Sequence, residues 1–348
     1  MKKRLLCLLL SCLLLTGCAT PALPQTKPQQ TQDGKKFTAT FLDVFDTVTT
    51  IVGYDESKAA FEEKAKAIHD QLLQYHQLFD IYHSYEGITN LKDVNDAAGG
   101  EPVQVDPIIM ALLKDSKDYY TITRGKVNVA MGAILQLWHE AREDAVDDPS
   151  KAYLPEKSVL REAFDHTDLY DVVLDEEKST VQILDPKLRL DVGAVAKGWS
   201  VQRVAENAPS GLLISVGGNV CATGPKDASG TPWVVGITDP NGGEYLHTIE
   251  TTDQCVVTSG DYQRYFVVDG KMYHHIIDPG TLFPGKKWRS VTVVCDDSGL
   301  ADALSTALFL LDIDTGVALL QKYDAYAFWV DHENARYYSP GFQDLIRT

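Results

Sequence analysis

Between Thr258 and Thr306 the chain reads TSGDYQRYFVVDGKMYHHIIDPGT, then RSVTVVC, then LADALSTA. This stretch dictates a strand, a hairpin turning at Asp269-Gly270, a second strand over Val291–Cys295 and a helix over Leu300–Leu311. It gathers a hydroxyl-rich glycine turn, paired histidines and a helix-borne Asp/Thr pair. Such a set can hold a phosphorylated ligand together with a divalent metal.

Elsewhere the patterns read as follows. Phe37 to Val52 is rich in strand formers. A helix over Ser57–Phe79 carries Phe61, Ala65, Ile68, Leu72, Tyr75 and Phe79 as one apolar stripe, suited to packing on a sheet. Asp106-Pro107 opens a helix that stops near Gly125. Met131–Arg142 is helical, and the acidic run Glu143–Ser158 reads as a surface loop. Val172–Leu184 is a hairpin, Ala194–Ala208 a helix, and Leu212–Val216 a strand ending at Gly217-Gly218-Asn219. Strands follow at Trp233–Thr238, Tyr245–Thr251, Cys255–Thr258 and Ala325–Val330. Helices gather in the first half and strands in the second, so the fold class is α+β.

The N-terminus has its own logic. Lys2, Lys3 and Arg4 precede an apolar run, Leu5 to Leu15, that is too short to span a membrane. It ends in Leu15-Thr16-Gly17-Cys18, which reads as a lipoprotein signal peptide over residues 1–17 with Cys18 as the lipid-modified residue. Residues 18–36, rich in Pro, Gln and Thr, read as a flexible tether, and residues 37–348 as the folded domain. The expected location is extracytoplasmic, lipid-anchored to the bacterial cell membrane. A formal net charge of -17 argues against a nucleic-acid partner and against electrostatic adhesion to anionic lipid. Of six cysteines, Cys221, Cys255 and Cys295 lie in the domain, and they read as small buried strand residues rather than a disulfide framework or a zinc site.

The chemistry-bearing residues are few. Asp302 and Thr306, four apart on a helix, project from one face and offer the hard oxygen ligands that suit Mg²⁺. Asp191-Val192-Gly193-Ala194-Val195-Ala196-Lys197-Gly198 opens a helix whose N-terminus favours phosphate, with Lys197 near enough to neutralise it. Thr258-Ser259-Gly260 supplies hydroxyls and backbone N–H groups. His274 and His275, adjacent on a strand, point to opposite faces, so one of them faces a site. No Gly-x-Ser-x-Gly, His-Glu-x-x-His or Gly-x-Gly-x-x-Gly pattern is present, which removes serine hydrolase, zinc peptidase and nicotinamide dehydrogenase readings.

In order along the chain, Phe45-Asp46-Thr47, Thr89-Asn90-Leu91 leading to Asn95, Gly125 through Trp138, DVGAVAKG, SVGGN, TSGDY, HHIIDP and the Asp302/Thr306 pair resemble the ApbE-like flavin transferases, the FAD:protein FMN transferase family. The resemblance covers about Phe41 to Phe342. It implies a single T-fold-like α+β domain that cleaves FAD with Mg²⁺ and places FMN on a Thr or Ser hydroxyl of an extracytoplasmic acceptor flavoprotein of a membrane electron-transport system, releasing AMP. By the same resemblance, Ala194 (through its carbonyl), Asp302 and Thr306 hold the metal. Phe45, Thr89, Asn90, Leu91, Val127, Asn128, Asp191, Lys197, Ser259, Gly260 and Ile277 contact FAD. His275 is the general base and Asp278 orients its loop or the metal's water shell. Three motifs depart from the common pattern: Phe45-Asp46-Thr47 replaces Met-Gly-Thr, Asn128 replaces Asp, and Pro279-Gly280-Thr281-Leu282 replaces Pro-Arg-Thr-Gly. Two alternatives are a pyrophosphatase giving FMN and AMP, which would share the same residues, and a non-catalytic FAD-binding lipoprotein, against which the Asp302/Thr306/His275 set argues.

Overall fold

The computed structural model describes residues 34–347. The signal peptide, Cys18 and most of the tether therefore lie outside the described residues. Eight strands form the central sheet: β1 (Lys35–Val44), β2 (Thr47–Asp55), β3 (Leu212–Val216), β4 (Asn219–Ala222), β5 (Cys255–Gly260), β6 (Trp288–Cys295), β7 (Tyr326–Asp331) and β8 (Arg336–Tyr338). Each pairs antiparallel with the next in chain order. The sheet is thus a meander; among the described residues the other elements are inserted into its connections, except the helical turn Phe342–Leu345, which follows β8. Lys35 already pairs with Asp55, so β1 includes residues before the expected strand start at Phe37.

The longest insertion, between β2 and β3, carries six helices: α1 (Lys58–Phe79), α2 (Leu91–Asp96), α3 (Pro107–Ile122), α4 (Gly132–Asp147), α5 (Lys157–Phe164) and α6 (Ala196–Asn207). Ser57 caps α1 by accepting from Ala60 N, and every residue of the expected apolar stripe is buried, against β1, β2, α3 and α6. Asp106 caps α3 with Pro107 in its first turn. The segment expected as a loop over Glu143–Ser158 is different. α4 continues to Asp147 because Ala141 and Ala145 still face the core while Glu143, Asp144 and Asp147 take the outer side, and α5 follows, anchored by buried Leu160. After β6 come α7 (Ser298–Leu310), capped by Asp297, and α8 (Ile313–Leu320). α7 lies beside α6 and across β5 and β6.

Two turns bring distant segments to one end of the sheet. β1 and β2 are joined by Phe45 (φ 54°) and Asp46 (φ 50°), both left-handed. That conformation suits the two-residue hairpin turn but disfavours bulky residues, so glycine would be the easier occupant at Asp46. β3 does not end its hairpin at Gly217-Gly218-Asn219. The two glycines (φ 53° and 95°) form the turn and Asn219 begins β4.

The cysteine expectation also needs correction. Cys221 and Cys255 form a disulfide with Cα atoms 4.2 Å apart, and buried Cys295 is free. The reason is register: Cys255 on β5 lies directly across from Cys221 on β4 and from Cys295 on β6, so three residues far apart in sequence line up on one face. The bond closes a loop with a sequence separation of 34. Replacing Cys221 and Cys255 by Ala is expected to lower stability by about 3 kcal/mol. Denaturant melts with and without reductant check this, and a reductant-insensitive parent would count against it.

Candidate active site

The insertions enclose a cleft of about 1270 Å³ at the end of the sheet that carries both turns. One wall is the sheet end, with the N-terminus of α6 and the C-terminal end of β5. The other is a separate apolar cluster in which Ile134, Trp138, Leu160, Phe266, Ile277 and Leu282 tie α4 and α5 to the hairpin of Tyr265–Val268 and Lys271–His274. Trp138 Nε1 donates to Leu282 O at 3.0 Å, which fixes that wall.

At the cleft floor, α6 and α7 touch through Gly198 and Asp302. A Cβ at Gly198 would lie 2.4 Å from Asp302 Cβ and 2.4 Å from Ser298 O, so only glycine permits this approach. Gly198 N donates to Asp302 Oδ2 at 2.8 Å. That N–H is the one that would otherwise close the first helical turn onto Ala194 O, four residues earlier. Ala194 O, on the cleft wall, is therefore left without a backbone partner among the described residues. Asp302 is only 4% exposed, and burial raises its pKa even though Lys197 Nζ stands 3.6 Å from Oδ2 and Gly198 N favours the anion. Thr306 lies one turn on, also at the wall, with its Oγ1 3.5 Å from Ser259 Oγ. Ser259 Oγ is 2.8 Å from Ser305 Oγ.

An incompletely compensated buried carboxylate beside a free carbonyl and a hydroxyl suits a hard divalent cation. Among the described residues no three His, Cys, Asp or Glu side chains cluster for a metal, so a soft zinc-type site is not what these groups form.

Across the cleft, His275 Nδ1 is 3.2 Å from Arg264 O, an acceptor, so Nδ1 carries the proton and Nε2 keeps its lone pair. The ring is exposed along the cleft it lines, yet the surrounding walls desolvate it. With His274, Arg264 and Lys197 adding repulsion, its pKa is pushed down to about 3. His274 faces the opposite way and is buried and satisfied, donating from Nε2 to Gly285 O (2.7 Å) and accepting Ile276 N at Nδ1 (3.1 Å). Arg264 also holds the β1–β2 turn, donating from Nη2 to Asp46 O at 3.2 Å. Phe45 N in turn donates to His76 Nδ1 at 3.2 Å.

Phe45, Val127, Asn128, Asp191, Ala194, Lys197, Ser259, Gly260, His275, Ile277, Asp302 and Thr306 all reach the cleft. Asp191 is held by Gly193 N (2.8 Å), and burial raises its pKa. Asn128 spends its amide internally, on Thr167 O and Ala130 N. Four expected site residues, the FAD contacts Thr89, Asn90 and Leu91 and the orienting Asp278, do not lie on the wall. Thr89 is outside it and Leu91 is fully buried in the core. Asn90 is buried as the cap of α2, where it donates to His83 O at 2.8 Å and so positions a segment that does line the cleft. Asp278 is turned away, paired with Lys126 Nζ at 2.7 Å and accepting Gly280 N, so it orients its loop rather than facing the floor. Asn95 acts similarly, gripping Leu190 N and O and thereby placing Asp191.

Sequence reasoning passed over several wall residues, including His76, Tyr82, His139, Arg142 and Arg264. His139 and Arg142, three apart on α4, carried the readable signal of two basic groups on one helix face. Tyr82, stacked on His139 at 5.2 Å, sits in an irregular segment with no pattern to read.

Residues 45–329 match the model of the ApbE family, and the chain belongs to that family. It is similar to FAD:protein FMN transferase of Treponema pallidum, 34% identical over 74% of this chain and 75% of the relative. The corresponding figures for one from Klebsiella pneumoniae are 31%, 73% and 80%. The ApbE protein of Thermotoga maritima superposes with a TM-score of 0.80 at 29% identity, covering 90% of this chain and all of that one.

Proposed function

We propose that this transferase moves the FMN portion of FAD onto a Thr or Ser hydroxyl of an acceptor flavoprotein, with Mg²⁺, and releases AMP. The observation that carries it is one cleft holding buried Asp302, the unpartnered Ala194 carbonyl and Thr306 on one side and a neutral His275 on the other. Asp302, Thr306 and Ala194 O would hold the Mg²⁺, which when bound neutralises pyrophosphate charge. Lys197 and the N-terminus of α6 bind phosphate oxygens. Nε2 of His275 takes the proton of the acceptor hydroxyl as its oxygen attacks the FMN phosphorus. The new P–O ester forms as the P–O–P bond breaks, and the electron pair leaves with AMP. The Cys221–Cys255 disulfide supports an oxidising, extracytoplasmic location, and Cys18 would anchor the chain to the membrane there.

Intact-mass spectrometry of a flavin-acceptor domain mixed with the protein, FAD and Mg²⁺ tests this. A gain of one FMN, lost in EDTA, is expected. Free FMN and AMP with no gain would favour the pyrophosphatase, and bound, uncleaved FAD the carrier.

His275→Ala is expected to keep FAD affinity and slow transfer about 100-fold. Unchanged turnover would remove His275 from the proton transfer. Because its pKa is lowered from the usual 6.5 to about 3, the imidazole of the free enzyme stays neutral as pH falls from 8 to 5. The pH profile of kcat/KM should therefore lack an acid limb near 6.5. Such a limb that disappeared in His275→Ala would refute the lowered pKa of His275 while keeping it as the base.

A further inference from the structure

We propose that Asn219 is a further substrate-binding residue of this cleft, its side-chain oxygen accepting a hydrogen bond from a donor that arrives with the bound nucleotide. The inference rests on the flavin-nucleotide reading above. Asn219 is 2% exposed, yet it lines the cleft. Its amide is half used. Nδ2 lies 3.4 Å from Val216 O, and Oδ1 has no partner among the described residues. Val216 O can only accept, so the nitrogen must face it, and the orphan is the oxygen whichever way the amide was first drawn. A buried acceptor without a donor destabilises the free protein, and a group kept at that cost in a cleft wall is a group awaiting a partner.

The surroundings narrow the partner. Asn219 lies across from Val216 on β3 and from Val257 on β5, so it shares a sheet face with Ser259, two residues further along β5. Ser259 is the residue that touches Ser305 and Thr306 of α7. Asn219 thus lies on the sheet face of Ser259, next to the Gly217–Gly218 turn that packs against Thr47 and Thr258. A carbonyl oxygen repels phosphate oxygens and takes O–H or N–H. The donor is therefore a sugar-chain hydroxyl or ring N–H of the nucleotide, or a water held by the metal that accompanies it.

The test uses flavin fluorescence to measure FAD affinity of the parent and of Asn219→Leu, in EDTA and in Mg²⁺. The variant is expected to bind FAD about tenfold to a hundredfold more weakly. A loss already present in EDTA assigns the donor to the nucleotide, and a loss seen only with Mg²⁺ assigns it to metal-bound water. Because the leucine removes an orphaned acceptor, the ligand-free melting temperature should hold or rise, which a merely structural role of Asn219 would not produce. Should Asn219→Leu not fold, Asn219→Ala is expected to show the same loss of affinity. Equal affinity of parent and folded variant in both conditions overturns the proposal. A parent that binds no FAD overturns the flavin reading instead.

Discussion

Asp302→Asn is expected to reduce FMN transfer by about a thousandfold or more while leaving the fold intact. The amide is nearly isosteric, and its oxygen can still accept from Gly198 N, so the contact between α6 and α7 survives. What disappears is the buried negative charge at the cleft floor. Lys197, 3.6 Å away, then loses its nearest carboxylate, and the floor becomes less anionic. FAD, an anion, should still bind, whereas a divalent cation should not. The measurements are transfer rate against Mg²⁺ concentration and the Mg²⁺-dependent rise in melting temperature. Asp302→Asn should lose both. Because a desolvated carboxylate is replaced by a neutral group, the metal-free melting temperature should not fall. Near-parental transfer at the same Mg²⁺ would sink the assignment of Asp302 to the metal.

The sequence carried the floor of this cleft well and its rim poorly, for a physical reason. Residues at the floor sit in regular elements. Asp302 and Thr306 share a helix face, and Ser259 and Gly260 close a strand, so period and spacing place them. The α1 stripe and the Asp269-Gly270 hairpin were legible for the same reason. Motifs that mark a site without touching it misled. Asn90 and Asn95 lie near the cleft in sequence logic, but one caps a helix and the other grips Leu190, and both act through the segments they hold. The disulfide depended on lateral register between β4 and β5, set by hydrogen bonding that no local window contains. Arg264 was visible as a residue but its work was not, because Phe45 and Asp46, whose turn it clamps, lie more than two hundred positions away. Long-range pairing, more than residue chemistry, separated what could be read from what could not.

Gly198→Ala is expected to disable the enzyme through the fold rather than through chemistry. Alanine favours a helix over glycine by about 1 kcal/mol, so on propensity alone the change should stabilise α6. Packing decides otherwise. The added methyl would meet Ser298 O and Asp302 Cβ, each at 2.4 Å, and neither is the free end of a flexible side chain. α7 must therefore move away from α6, although Ala301, Ala303, Leu304 and Leu308 are fully buried and resist displacement. The expected cost is about 3 kcal/mol, larger than the propensity gain. The same shift lengthens the Gly198 N to Asp302 bond. The N–H then returns to Ala194 O as the helix closes, and the floor loses two cation-facing oxygens at once. Gly193→Ala provides the contrast, because a methyl there meets only Asp191 Oδ1, at 3.1 Å. Thermal melts should show a large loss for Gly198→Ala and little for Gly193→Ala. Parental stability of Gly198→Ala would mean that α6 and α7 are not held at the separation on which the cleft floor depends.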